Sequence, residues 1–127
     1  MSQLPMPTDA ELAILRVLWT RGPSTVRQVH EALSSQQNTG YTTVLKLMQI
    51  MAEKGLADRD ETERAHVYHP RWSEQKTQRQ LVGDLLDRAF GGSSSQLVLQ
   101  ALSSKKASHQ ELAAIRQMLD ELEGGAR

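Results

Sequence analysis

A mainly α-helical fold, with three helices, a two-stranded β-hairpin and then three further helices, is predicted from three features of the sequence. Three Ser/Thr-x-x-Glu/Gln pairs mark helix starts, at Thr8, Thr25 and Ser108. Apolar residues recur at helical spacing after each pair. Between residues 56 and 69 the pattern changes to two short extended segments around a charged turn.

The first two helices follow each other closely. The first begins at the capping box of Thr8 and Glu11 and ends at Gly22-Pro23. Its apolar stripe consists of Leu12, Leu15, Leu18 and Trp19. The second helix begins at Thr25, and its buried face consists of Val26, Val29 and Leu33. The polar stretch from Ser34 to Gly40 predicts a loop.

The third helix is predicted from about Tyr41 to Lys54, with Gly55 as its end. Its core stripe consists of Val44, Leu47, Met48 and Met51. Two strands are expected next, over Leu56 to Arg59 and Ala65 to His69, and Pro70 ends the second because proline donates no ladder hydrogen bond.

Residues 73–127 predict three short helices that carry more apolar side chains than so small a unit can cover. We therefore predict two domains, residues 1–72 and residues 73–127. The surplus apolar surface of the second needs either the N-terminal domain or another copy to cover it, and we expect a dimer because symmetric pairing is the commonest solution. The side chains expected in the dimer interface are Leu81, Leu85, Leu86, Phe90, Leu97, Val98, Leu99, Leu102, Leu112, Ile115, Leu119 and Leu122.

Three helices followed by a hairpin is the element order of a winged helix-turn-helix, in which the third helix enters the DNA major groove. Thr42 and Thr43 lie in the first turn of that helix, where backbone N–H groups favour a phosphate. About one turn further on, Lys46 can bind the edge of a guanine and Gln49 that of an adenine, and Leu45 can contact a thymine methyl. The residues predicted to contact DNA are Thr42, Thr43, Leu45, Lys46 and Gln49 on the helix, and Arg59 and Arg64 at the hairpin.

Composition excludes several other functions. The 127 residues contain no cysteine, so disulfides and thiolate metal sites are absent. Five aromatic residues are too few for a platform that stacks single strands. No spacing of side chains indicates a metal site, a cofactor or an enzyme. Lysine and arginine balance aspartate and glutamate, fifteen each, which excludes a highly basic coating protein and an acidic solvating tail but not a local basic surface.

The sequence resembles the penicillinase-repressor (BlaI/MecI/CopY) family over about residues 8–124. The segments that carry the resemblance are Leu12 to Leu15, Leu18-Trp19, Gly22-Pro23, Thr25 to Val29, Tyr41 to Val44, Lys54 to Leu56, Arg64 to Tyr68, Phe90 to Ser93 and Leu97-Val98.

This resemblance implies a cytoplasmic, homodimeric transcriptional repressor on a pseudo-palindromic operator, with Arg64 and Tyr68 in the wing. In family members a membrane-bound sensor protease triggers cleavage in the C-terminal region. The corresponding stretch here contains Gln100 and Ala101 and lacks the Asn-Phe pair of those members. The copper-responsive branch uses a cysteine motif, which this chain does not have.

Two other functions fit the same sequence. One is a winged-helix regulator released by a small molecule bound between the domains, near Trp72 and Phe90. The other is a protein-interaction module that binds no DNA, since residues 1–72 carry eight cationic and eight acidic side chains.

Overall fold

The computed structural model describes residues 4–36, 38–104 and 106–125. Gln37, within the predicted loop, lies outside these residues. The described elements, in chain order, are α1 (Asp9–Arg21), β1 (Ser24–Thr25), α2 (Val26–Ser34), α3 (Tyr41–Lys54), β2 (Ala57–Asp60), β3 (Val67–Pro70), α4 (Glu74–Phe90), α5 (Ser94–Ser104) and α6 (His109–Gly125). The predicted fold class, mainly α with a winged helix-turn-helix first, is confirmed.

Both N-terminal capping boxes form as predicted. The Thr8 hydroxyl accepts from the Glu11 backbone N–H, and the Glu11 carboxylate accepts from the Thr8 N–H. Thr25 and Gln28 make the same pair of bonds at the start of α2. Each box satisfies two N–H groups that have no partner inside the helix, which is why both helices begin where they do.

Glycines bound α3 at both ends. Gly40 is its N-cap residue and contributes no side-chain cap, whereas Gly55 ends the helix in the left-handed conformation at φ 87°. A residue with a Cβ would be strained at that φ, so glycine gives α3 a sharp end. The chain turns directly into β2 two residues later.

The sheet has three strands, so the expectation of a two-stranded hairpin was incomplete. β3 is central and pairs antiparallel with β2 and with the two-residue strand β1. In this register Arg59 lies opposite Tyr68, and Thr25 opposite Val67. β1 has too few residues for an alternating pattern, and it forms because β3 offers it a free edge.

The core lies between α1, α2, α3 and the sheet. Its buried apolar side chains are Ile14, Leu15, Leu18, Val26, Val29, Leu33, Val44, Met48, Met51, Leu56, Ala57 and Tyr68. The stripe predicted for α1 is partly wrong, because Leu12 and Trp19 are only half-buried while Ile14 is fully buried.

The chain divides into two compact units, residues 1–83 and residues 84–127. This division falls inside α4, eleven residues beyond residue 72, where the sequence predicts the domain boundary. The boundary between a DNA-binding and a dimerising domain stays a prediction. Ser93 and Ser108 cap α5 and α6 by accepting from the backbone N–H groups of Gln96 and Glu111. None of the described helices is long and apolar enough to cross a bilayer.

Candidate nucleic-acid interface

One side of α3 presents polar side chains to solvent. Three buried residues fix which side this is, because Val44, Met48 and Met51 hold the opposite side against the core. We call the exposed set the polar face of α3, and it consists of Thr42, Thr43, Lys46 and Gln49. In the part of the chain that the structure describes, Lys46 belongs to no ion pair. Its ammonium group is therefore available to an external acceptor.

The start of α3 is suited to an anion. Its N-cap residue, Gly40, has no side chain that could accept from the first backbone N–H groups, which lie at the positive end of the helix dipole. Tyr41 lies beside them, 45% exposed, with its ring edge-on to that of His30 at a centroid distance of 5.8 Å. A phosphate placed here would meet N–H donors together with the hydroxyls of Thr42 and Thr43.

Leu45 contributes less surface to this face than the sequence suggests. Its side chain is half-buried and packs against the core cluster. Only the remaining part is open to a ligand, so contact with a thymine methyl stays a prediction.

The wing is the hairpin formed by β2, β3 and the turn between them. Its two predicted DNA-contacting cations differ in whether they are already paired. Arg59 Nε donates to Glu61 Oε2 at 2.7 Å. Hydrogen bonding with Tyr68 and Glu61 raises the pKa of Arg59. Arg64, at the exposed turn, has no ion-pair partner among the described residues. Arg64 is thus the freer of the two for a phosphate.

Tyr68 is not on the wing surface, which corrects the expectation that it takes part in DNA contact. Its side chain is 1% exposed and belongs to the core. The alternation of β3 directs this ring inward, because successive strand residues face opposite sides. Tyr68 therefore acts by packing in the core, opposite Arg59 on the neighbouring strand.

The wing also neutralises part of its own acidity. Arg71 donates to one Asp58 carboxylate oxygen through Nη2 at 2.6 Å and Nε at 3.0 Å. The hydrogen bond from Arg71 lowers the pKa of Asp58. With Glu61 held by Arg59, two of the wing carboxylates have cationic partners, which reduces their repulsion of a phosphate.

The side chains predicted to dimerise all lie at the surface of the described chain. None is buried, and five are more than two-fifths exposed. Those five are Leu85, Val98, Leu99, Leu119 and Leu122; the half-buried ones are Leu81, Leu86, Phe90, Leu97, Leu102, Leu112 and Ile115. Gln100 and Ala101 are exposed within α5. A protease would have to unwind this helix to reach their peptide bond.

Two further features bear on ligands. Within residues 4–36, 38–104 and 106–125, no three His, Asp or Glu side chains are grouped to hold a metal ion. A cleft of about 530 Å³ lies between α1 and α2, lined by residues that include Leu12, Arg16 and Leu33. Neither Trp72 nor Phe90 lines this cleft, so the effector site suggested near them stays a prediction.

Comparison with known proteins gives one family. The model of the penicillinase repressor family matches residues 7–121. The chain is 37% identical to the transcriptional regulator BlaI of Mycobacterium tuberculosis (strain H37Rv) over 126 residues, which cover 98% of this chain and 91% of the regulator. It is 25% identical over 121 residues to the penicillinase repressor of Bacillus licheniformis, covering 95% and 94% of the two chains.

Two solved structures share the N-terminal fold. One is the solution structure of the DNA-binding domain of the repressor BlaI, with a TM-score of 0.51 and 26% identity, covering 58% of this chain and 90% of that one. The other is monomeric Bacillus licheniformis BlaI in complex with the blaP half-operator, with a TM-score of 0.51 and 25% identity, covering 59% and 92%.

Proposed function

Because this chain belongs to the penicillinase repressor family, and is a DNA-binding transcriptional repressor, we propose that it binds a pseudo-palindromic operator as a homodimer. The observation that carries the proposal is the polar face of α3, held outward by a buried face on the same helix. A similar domain binds a half-operator in the Bacillus licheniformis protein. The chain would act in the cytoplasm, where its DNA is, and without catalysis.

In this proposal α3 lies in the major groove and the wing lies along the flanking backbone. The backbone N–H groups at the start of α3, which its N-cap Gly40 does not cap with a side chain, hold a phosphate, and this contact fixes the register of the helix. Lys46 and Gln49 then face base edges one turn further on. Arg64 adds a phosphate contact from the wing.

Dimerisation supplies the affinity that one neutral domain lacks. Residues 1–72 have no net charge, so non-specific attraction to DNA is weak. A second domain held close by raises the effective concentration of the second half-site contact. The exposed leucines of α5 and α6 together with Val98, on two helices where no residue is buried, are the surface that a second copy would cover.

Release would then follow from separating the two copies. Any event that disrupts α5 or α6 lowers operator affinity without altering the polar face of α3. Cleavage by a membrane-bound sensor protease near Gln100 and Ala101 is one such event, and it requires local unwinding of α5 first.

The direct test is binding of the full chain to duplex DNA from upstream of its own gene. We expect binding about 10³-fold or more tighter than to a scrambled duplex of equal length. Equal affinity for the two duplexes, or no binding to either, would refute the proposal. Sedimentation of the chain with the bound duplex gives the number of copies per operator.

Lys46→Ala tests base reading. We expect it to cost about 1–3 kcal/mol of binding free energy on the operator and to relax sequence preference at one base pair, because a lysine on a base edge discriminates that base. Affinities for the operator and for its single-base variants are measured together with affinity for random DNA. Equal losses on operator and random DNA would show that Lys46 contacts only the backbone.

Arg64→Ala tests the phosphate contact of the wing. We expect affinity to fall by the same factor on operator and random DNA, and the slope of log affinity against log salt to flatten by roughly one unit. Arg16→Ala is the matched control, since it also removes one exposed arginine, but on α1 and outside the ion pairs of the described residues. A salt slope unchanged in the Arg64 variant, or equally changed in both, would contradict the assignment.

A further inference from the structure

Trp72 lies between α3 and α4, and both its side chain and its backbone carbonyl are hydrogen-bonded. Its indole Nε1 donates to the Gly55 carbonyl at 3.1 Å, at the residue that ends α3. Its own carbonyl accepts from the indole Nε1 of Trp19, in α1, at 3.0 Å. Carbonyls at a helix end have no partner inside the helix, so the Trp72 indole satisfies one that α3 leaves open.

The residues on either side restrict the chain further. Before Trp72, the Arg71 backbone N–H donates to the Leu56 carbonyl at 3.0 Å, and the Arg71 guanidinium is held by Asp58. After Trp72, the Ser73 hydroxyl caps α4 by accepting from the Lys76 N–H at 3.1 Å. Only Ser73 therefore separates the hydrogen-bonded Trp72 from α4, so no flexible linker lies between them.

The first turns of α4 are also held in place. The Lys76 ammonium lies 4.8 Å from the centroid of the Trp72 ring, a cation–π contact. Thr77 is 4% exposed, and the Gln80 side-chain amide donates to the Leu4 carbonyl. All of these residues belong to the unit of residues 1–83 that contains α3. The start of α4 is thus fixed with respect to α3.

We propose that Trp72 is a positioning and specificity-determining residue, which fixes the start of α4 against the end of α3 and so makes operator binding depend on the spacing between half-sites. This inference rests on the proposed function, a homodimer on two half-sites. Half-sites on DNA turn with the helix, by one full turn per 10–10.5 base pairs. A dimer whose reading helices are rigidly joined to α4 tolerates one spacing, whereas a loose junction lets each helix follow a displaced half-site.

Trp72→Phe is the variant of choice because it keeps an aromatic ring beside Lys76 and removes the Nε1 donor to Gly55 together with part of the indole surface. Trp19→Phe removes the other hydrogen bond of the junction and serves as a second variant should the first fail to fold. Val17→Ala is the matched control. It also trims a side chain packed against the core of the first unit, but an aliphatic side chain makes none of the hydrogen bonds of the junction.

The assay measures Kd of each full chain for the operator, for operators with two base pairs added or removed between the half-sites, and for a single half-site. We expect wild type and Val17→Ala to lose about tenfold or more when the spacing changes, since two base pairs rotate a half-site by about 70°. For Trp72→Phe and Trp19→Phe we expect that loss to shrink below about threefold, with half-site affinity within about twofold of wild type.

The outcomes separate the two proposals. A spacing penalty in the tryptophan variants equal to that of wild type would overturn the role of Trp72 while leaving operator binding intact. A wild-type chain indifferent to spacing would overturn it as well. Absence of specific binding by wild type would refute the proposed function, and the inference with it.

Discussion

Replacing Leu119 and Leu122 together by aspartate is expected to convert the protein to a monomer and to weaken binding to the full operator by about 10²–10⁴-fold. The two side chains are 53% and 71% exposed and lie on the same side of α6. In a dimer interface each aspartate would be a desolvated charge without a partner, which disfavours association strongly. Affinity for a single half-site should stay within about twofold, because the polar face of α3 is unaltered.

The matched control is Gln110→Asp with Gln117→Asp, which adds the same two charges to exposed positions on the other side of α6. Sedimentation equilibrium gives the mass of each chain, and anisotropy titration gives Kd for the full operator and the half-site. The expectation fails if the leucine variant stays dimeric, or if a monomeric variant binds the full operator as tightly as wild type.

Local signals predicted most of the secondary structure. The range of α3 agrees at both ends, since Gly40 and Gly55 bound it and its apolar residues keep a strict helical spacing. The boxes at Thr8 and Thr25 likewise gave the starts of α1 and α2. These signals span at most four residues, so they act in the chain whatever surrounds it.

Long-range pairings had no such signal. β1 consists of Ser24 and Thr25 alone, and it exists only because β3 pairs with it from more than forty positions away. The burial of Tyr68 has the same origin. A tyrosine next to His66 and His69 in a charged hairpin looks solvent-facing in the sequence, whereas the register of β3 turns its ring into the core.

The part of the candidate interface that lies on α3 was predictable from local sequence, whereas the part on the wing was not. Exposure of Thr42, Thr43, Lys46 and Gln49 follows from helical periodicity once the core stripe of α3 is known. The state of the two wing cations does not follow in this way, because Arg59 is paired with Glu61 whereas Arg64 has no ion-pair partner among the described residues. Only the fold decides which of two similar arginines remains free for DNA.

Two polar contacts at the C-terminal end of α3 also could not be predicted from the sequence. The carbonyl at Gly55 is bonded to Trp72, seventeen positions on. Lys54, one residue earlier, is bonded to Glu11, forty-three positions back. Both contacts restrain the C-terminal end of α3, whereas its N-cap residue, Gly40, offers no side-chain cap. The helix is therefore anchored at the end that does not approach the proposed phosphate.

The pair of Glu11 and Lys54 combines a buried carboxylate with a more accessible ammonium group. Glu11 Oε1 lies 2.7 Å from Lys54 Nζ, and the two side chains are 3% and 35% exposed. Burial alone raises the pKa of Glu11. The hydrogen bond from Lys54, the Thr8 N–H and the charge of Lys54 outweigh that effect, and the pKa of Glu11 falls below its usual value.

We expect Lys54→Met to lower the free energy of unfolding by about 2–4 kcal/mol at pH 7, because it leaves the Glu11 charge buried with only the Thr8 bonds. Glu11→Gln should cost less, about 1–2 kcal/mol, since Lys54 can turn toward water. Lys46→Met is the control on the same helix, an exposed lysine outside any described ion pair, and should change stability by less than about 0.5 kcal/mol.

The pH dependence gives the sharper measurement. A carboxyl whose pKa is lower in the folded chain adds stability above its unfolded value, about 4.3 for glutamate, and this stability is lost as the pH falls through the folded value. The difference between wild type and Lys54→Met should therefore be largest near pH 7 and should shrink as denaturant unfolding is repeated toward pH 3. A difference that grows on acidification, or a Lys54 variant as stable as the Lys46 control, would mean that the Glu11 charge does not depend on Lys54.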